Sequence, residues 1–95
     1  MSKLTESARG QNCQVRIPGI CNHDPRTVVL AHINGAGMGM KAPDIHGAYC
    51  CSDCHDVLDG RTKMPFTSPD EVKLYHLEGV IRTQKIMLEQ GLIKI

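Results

Sequence analysis

Apolar residues fall in short runs along the first half of the chain, and two of these runs predict a β-hairpin. Residues 27–33 are β-branched and apolar, and they predict a strand with His32 near its end. Residues 45–50 predict the returning strand. Between them, residues 34–40 carry three glycines and predict a long connection, of the kind that is usually functional or disordered.

The second half of the chain has helical signals. A short helix is predicted from Cys51 to residue 58 or 61. Ser68 is the predicted N-cap of a longer helix, with Pro69 at its first position and Glu71 closing a capping box. Gly91 is the predicted end of this helix. Its apolar face is predicted from four large aliphatic residues, which are Leu74, Leu77, Ile81 and Leu88.

Each end of the chain predicts one further short element. Residues 4–9 predict a helix that ends at Gly10, and residues 92–95 predict a terminal strand. The apolar tail at residues 92–95 can either cap the core of its own chain or pair with a second subunit. A homodimer is therefore one prediction for the assembly.

Composition indicates that the fold needs a staple. The 95 residues suffice for one domain, spanning residues 1–95, and include one Phe, two Tyr and no Trp. A small fold with so few aromatic residues often depends on disulfides or a metal. Five cysteines and five histidines supply the ligands.

The compartment decides what the cysteines do. The chain starts without an apolar signal segment, and no run approaches the roughly 18 apolar residues of a membrane span. We therefore expect a cytoplasmic protein with no membrane partner and with reduced thiols. Clustered cysteines and histidines then predict metal ligands or catalytic groups rather than disulfides.

Four cysteines predict a structural zinc site. Cys51 and Cys54 form a C-x-x-C at a strand-to-helix junction, and this spacing lets both sulfurs reach one ion. Cys13 and Cys21 flank a turn predicted by Pro18-Gly19, after apolar and polar residues that alternate over 13–17. Four soft thiolates suit tetrahedral zinc.

Three alternatives to this zinc site stay open. Cys50 can replace Cys51 as a ligand, and His23 can replace Cys21. The C-x-x-C can also be a redox pair, although no βαβ pattern surrounds it.

Two histidines predict a second site. Successive residues on a helix diverge by about 100°, so His55 points away from the ion that Cys54 holds. Asp59 lies four residues on and can orient His55, bind its metal or be a solvated helix residue. His32 can face the first turn of this helix across a cleft and deprotonate water.

Charge gives little indication of a nucleic-acid partner, because the formal net charge is +1. Binding would need a local basic patch, for which the candidates are Arg9, Arg16, Arg26, Lys41, Arg61 and Lys63. Solvated surface charges are an equally good interpretation of each one.

The order of these motifs resembles the ββα-metal arrangement of HNH endonucleases. More closely, the chain is similar to the YbcO-like family of small phage and prophage nucleases. The resemblance covers nearly the whole chain and rests on the segments Ala8-Arg9-Gly10, Cys13-Gln14-Val15-Arg16-Ile17-Pro18-Gly19, Leu30-Ala31-His32-Ile33, Cys51-Ser52-x-Cys54-His55-Asp56 and Leu77-Glu78-Gly79 followed by Arg82-Thr83-Gln84. It implies an α+β fold: a small zinc-stapled ββα-metal domain, HNH-like or treble-clef-like, with an additional C-terminal helix.

The resemblance also implies roles for individual residues. His32 would be the general base and His55 a ligand of the catalytic ion, for which Mg²⁺ or another divalent cation is expected. His46 would orient or bind metal, and Asp44 is another candidate ligand. One departure is Ala31, which stands where many HNH nucleases have an acidic metal ligand.

Two functional hypotheses follow. The first is a metal-dependent endonuclease that hydrolyses phosphodiester bonds of nucleic acid, with DNA as the expected substrate and Arg61, Arg16 and Lys41 as candidate substrate-binding residues. The second is a non-catalytic zinc module that recognises DNA or a protein, which Ala31 and the low net charge favour. Convergence of His32 and His55 on one place would favour the enzyme.

Overall fold

The computed structural model describes residues 3–33, 44–64 and 67–94. The first helix, α1 (Lys3–Ser7), is followed by a turn that ends at Gly10, whose φ of 79° lies in the left-handed region that glycine tolerates. Residues 13–17 form no strand although their pattern alternates, because Arg16 has a φ of 51° and turns the backbone out of the extended conformation. The turn predicted at Pro18-Gly19 is present.

The sheet is the predicted hairpin with shorter strands. Strand β1 (Val29–His32) pairs antiparallel with β2 (Gly47–Cys50), and Leu30 lies opposite Tyr49. A 3₁₀ turn at Asp44–His46 precedes β2, so the return strand begins two residues later than predicted. The glycine-rich connection predicted at residues 34–40 lies outside the described residues.

Both later helices begin as the capping signals predict. Helix α2 (Ser52–Leu58) starts at Cys51, whose sulfur accepts a hydrogen bond from the amide of Cys54. Helix α3 (Pro69–Glu89) starts at Ser68, whose hydroxyl accepts from the amide of Glu71 at 3.2 Å. Gln90 caps α3, and Gly91 then leaves the helix with a φ of 73°.

Helix α3 packs on β2, but with a different face from the predicted one. Its fully buried positions are occupied by Gly79, Val80, Thr83 and Met87. The four aliphatic residues predicted as its apolar face are exposed: Leu74, Leu77, Ile81 and Leu88. The prediction was wrong because the helix approaches the sheet most closely at Gly79 and turns Val80, Thr83 and Met87 inward, so the predicted face lies on the solvent side. A Cβ on Gly79 would lie 2.8 Å from a methyl of Val15 and 3.2 Å from the Cβ of Ala48.

The core lies between α3 and the hairpin, and the fold is of the α+β class. Tyr49 is completely buried, and its amide donates to the buried Thr83 hydroxyl at 2.9 Å. The residues described in the terminal segment, up to Lys94, form no strand; Leu92 and Ile93 pack against the core of their own chain. In the described part of the chain, no helix is both long and apolar enough to cross a membrane.

Candidate metal centre and active-site cleft

Four cysteine sulfurs meet at one place beside the hairpin. Cys13, Cys21, Cys51 and Cys54 place their Sγ atoms within 4.8 Å of one another. Cys21 is partly exposed and the other three are buried. Among the described residues, this is the one group of three or more histidine, cysteine or acidic side chains that is placed to hold a metal ion.

The two halves of this cysteine cluster share a local geometry. The amide of Arg16 donates to Cys13 Sγ at 3.5 Å, and the amide of Cys54 donates to Cys51 Sγ at 3.4 Å. In each half, the donor lies three residues after the sulfur. In the loop, the positive φ of Arg16 turns its amide towards the sulfur of Cys13. In α2, the first helical turn points the amide of Cys54 towards the sulfur of Cys51. Backbone donors of this kind favour the thiolate form that binds metal.

The separations fit zinc. Cys51 and Cys21 have their sulfurs 3.8 Å apart. Four sulfurs arranged tetrahedrally around zinc at 2.3 Å are separated from one another by about 3.8 Å. Hydrogen bonds from the thiols of Cys50 and Cys54 hold the pKa of Cys13 well below its usual value, which favours its thiolate form. Burial raises the pKa of Cys21 to about 11, so that thiol requires a cation to become a thiolate at neutral pH.

The two alternative ligands lie next to the cluster. Cys50 is buried and hydrogen-bonded to Cys13, which raises the pKa of Cys50, but the four-sulfur group contains Cys51 instead. His23 places Nδ1 3.6 Å from Cys21 Sγ and is exposed. The four cysteines therefore form a centre that could hold a metal such as zinc.

A cleft of about 320 Å³ opens between β1, α2 and α3. Three histidines line it, one from each element: His32, His55 and His76. Its other lining residues are Ala31, Ile33, Leu58, Asp59, Lys73 and Leu77. The cleft is thus lined by three imidazoles, one carboxylate, one lysine and four apolar side chains.

His32 is held by Asp44. Its Nε2 lies 2.6 Å from a carboxylate oxygen of Asp44, which stands in the 3₁₀ turn before β2. Because an ionised carboxylate can only accept, Nε2 carries the proton, and a neutral His32 keeps Nδ1 as its basic nitrogen. Asp44, a candidate metal ligand by the resemblance, is in contact with His32, and its role as a ligand stays a prediction.

His55 is arranged in a similar way. Its Nε2 lies 3.4 Å from a carboxylate oxygen of Asp59, four residues along α2. Arg61 follows the helix and reaches 3.5 Å from Asp56 and 3.9 Å from Asp59. The structure therefore brings His32, His55 and Asp59 to one cleft and puts Arg61 beside it.

His76 is a cleft residue that the sequence reasoning missed. Its Nε2 donates to the carbonyl of Ala31 at 2.8 Å and ties α3 to the strand that carries His32. Burial lowers the pKa of His76, with the charges of His55 and His32 acting in the same direction. The spacing of Lys73, His76 and Leu77 puts these residues on one side of the helix, but it does not show that this side faces the cleft.

The remaining predicted site residues lie elsewhere. His46 is exposed and does not line the cleft. Arg16 lies at the cysteine cluster, where its Nε donates to the carbonyl of Cys13 at 3.0 Å. Lys41 lies outside the described residues.

Comparison with known proteins decides the family. The family described as "Putative nuclease YbcO" matches residues 2–92. The chain belongs to the YbcO family. This agrees with the resemblance that the sequence motifs indicate.

Similar members of the YbcO family come from a bacterium and a phage. The "Putative nuclease YbcO" of Escherichia coli (strain K12) is 48% identical over 99% of both chains. The protein of the same description from Enterobacteria phage 82 has the same identity and coverage. A solved structure, described as that of a putative bacteriophage protein from Escherichia coli str. K-12 substr. MG1655, superimposes with a TM-score of 0.78 at 48% identity. The match covers 92% of this chain and 98% of the other.

Proposed function

We propose that this YbcO family member is a metal-dependent endonuclease of the HNH type, and that the cleft between β1, α2 and α3 is its active site. The observation that carries the proposal is the meeting of His32 and His55 in one cleft. These residues come from different elements, and each has its Nε2 beside a carboxylate oxygen. An imidazole that is positioned by a carboxylate suits a general base, and a second imidazole with a carboxylate beside it supplies ligands for a divalent cation.

The order of elements supports the HNH assignment. A hairpin is followed directly by a short helix, and the cysteine cluster ties the start of that helix to the loop that holds Cys13 and Cys21. A zinc-stapled ββα unit of this order is what the HNH resemblance implies, with α3 as the additional helix. The four cysteines would hold the structural zinc.

In the proposed reaction His32 is the general base. Asp44 accepts a hydrogen bond from Nε2–H of His32 and leaves Nδ1 to take a proton from the water that attacks the phosphodiester. His55 and Asp59 offer imidazole and carboxylate ligands to a divalent cation such as Mg²⁺. When bound there, the cation supplies stabilisation of the charge that develops on the phosphate oxygens.

Two basic residues are placed to hold the substrate. Lys73 lines the cleft on α3, and Arg61 stands beside Asp59 with an exposed guanidinium. Either can contact a phosphate of DNA, the substrate that we propose. Roles for His46 in catalysis and for Arg16 and Lys41 in binding stay predictions.

The proposal is tested by cleavage of plasmid and single-stranded DNA with added magnesium or manganese. His32→Ala is expected to lower the rate by about 100- to 10,000-fold, the usual contribution of a general base. His55→Ala is expected to weaken binding of the added ion and to abolish the cleavage that this ion stimulates. Both variants must keep their zinc, which separates loss of chemistry from loss of fold. Full activity of either variant would contradict the proposed roles.

Two observations favour the second function, a non-catalytic module that binds DNA or protein. In the described part of the cleft, no three ligating side chains are gathered as the cysteine sulfurs are. Ala31 also lines the cleft where an acidic ligand would be expected from the HNH resemblance. Wild-type protein that binds DNA and holds zinc but cuts nothing with any divalent ion would establish this second function.

A further inference from the structure

Helix α3 presents a row of large aliphatic side chains to solvent. Leu74 is 54% exposed, Ile81 67% and Leu88 39%. The buried side of the same helix is formed by Gly79, Val80, Thr83 and Met87. Exposed apolar side chains are common singly, but an ordered row of them along one helix marks an interaction surface. We call Leu74, Ile81 and Leu88 the α3 row.

The α3 row has regular spacing. Its members follow one another at intervals of seven residues, so they drift by only about 20° around the helix at each step. At 1.5 Å per residue the row is about 21 Å long. Leu77 lies on the edge of the row and also lines the cleft.

The α3 row is symmetric about Ile81, because Leu74 lies seven residues before Ile81 and Leu88 seven after it. A two-fold axis at Ile81 therefore places Leu74 against Leu88 of the partner subunit and the two Ile81 side chains against each other. A two-fold interface requires a patch that is complementary to itself. A drift of this size suits helices that cross at about 20°. We propose that two copies of this chain pair through α3, antiparallel, with Ile81 at the symmetry axis.

The flanking charges fit the same antiparallel register. Glu78 and Lys85 stand on one side of the α3 row, about 60° and 40° around the helix from Ile81. The two-fold axis brings Lys85 to within about 1.5 Å in height of Glu78 of the partner subunit. The interface thus gains two pairs of opposite charges. In a parallel pairing, Glu78 and Lys85 of one subunit would lie on the opposite side of the interface from those of the partner, so the opposite-charge pairs could not form.

The side chains of Glu78 and Lys85 are accessible enough to form these pairs with a partner subunit. Glu78 already binds Arg82 of its own helix at 3.1 Å, through one carboxylate oxygen. Its other oxygen can accept from a lysine. Lys85 is exposed. In the apolar tail, Leu92 and Ile93 pack on the core of their own chain, and the proposed pairing does not use them. The interface does not depend on the proposed cleavage.

Sedimentation equilibrium from submicromolar to high micromolar concentration tests the pairing. The wild type is expected to dimerise, and Ile81→Asp, which puts two like charges at the axis, to raise the dimer dissociation constant by about 100-fold or more. Ile81 is mostly exposed, so this variant should keep its zinc and its helical circular dichroism. A wild type that stays monomeric throughout would refute the proposal and leave the α3 row to a different protein. An unchanged dissociation constant in Ile81→Asp would also refute it.

Charge reversal tests the antiparallel register separately. Glu78→Lys alone and Lys85→Glu alone each place like charges opposite one another and should weaken the dimer. The double variant restores both opposite-charge pairs and should recover the wild-type dissociation constant. A double variant that stays as weak as the single ones would overturn the register with its axis at Ile81.

Discussion

Replacing Cys21 by alanine is the sharpest test of the metal centre, because Cys21 is partly exposed while the other three ligands are buried. Its loss removes little packing, so the effect of the change comes from the metal. Replacing a residue that only hydrogen-bonds to a metal ligand lowers the metal affinity by about 10–100-fold. Removing a ligand itself should therefore lower the zinc affinity by more than about 100-fold. At saturating zinc, 100-fold corresponds to about 2.7 kcal/mol of folding free energy. Domains of this kind have only about 5–15 kcal/mol in total.

Cys50→Ala is the matched control. Cys50 is completely buried and adjoins the cluster, but it is not one of the four. Losing its sulfur should cost about 1 kcal/mol of packing and leave zinc bound. Zinc content after dialysis and thermal unfolding with and without a chelator separate the two variants. If Cys50→Ala loses zinc while Cys21→Ala keeps it, the assignment of the four ligands is refuted.

Three further predictions concern the contacts of α3. Gly79→Ala should lower the free energy of unfolding by about 1–2 kcal/mol, because a Cβ 2.8 Å from a methyl of Val15 outweighs the gain in helix propensity; the urea midpoint measures it. Thr83→Val should cost about 1–3 kcal/mol by leaving the buried amide of Tyr49 without an acceptor, and Thr83→Ser, which keeps the hydroxyl, should retain that bond. Burial lowers the pKa of His76 below 6.5, so the folded state favours the neutral ring, and stability should fall as the pH drops below 6.5 towards the lowered pKa. His76→Gln should flatten that part of the stability–pH curve.

Local chemistry made the helix starts predictable from the sequence. Ser68, Pro69 and Glu71 fix the start of α3 through groups that lie within one turn, so no tertiary information is needed. The same holds for the C-x-x-C, where Cys51 caps the helix on which Cys54 stands. Contacts between residues within one helical turn of each other can be predicted from the sequence before the fold is known.

The buried face of α3 was not predictable in the same way. Large aliphatic residues normally mark the core side of a helix, but here the buried side combines Val80 and Met87 with Gly79 and Thr83. Whether a helix approaches closely enough to exclude leucine depends on the sheet opposite, here on Val15 and Ala48. His76 escaped notice for a related reason. Its partner is a backbone carbonyl 45 residues away, and sequence spacing does not encode such a contact.

The cysteine cluster and the cleft depend on each other through α2. The helix has seven residues, too few to be stable alone in water, so its position relies on what its first turn is attached to. Cys54 turns into the cluster while the next residue, His55, turns about 100° away into the cleft. Metal held by the cysteines would therefore fix the imidazole on which the proposed chemistry depends. Cys21→Ala should then lose cleavage together with zinc, although Cys21 does not line the cleft.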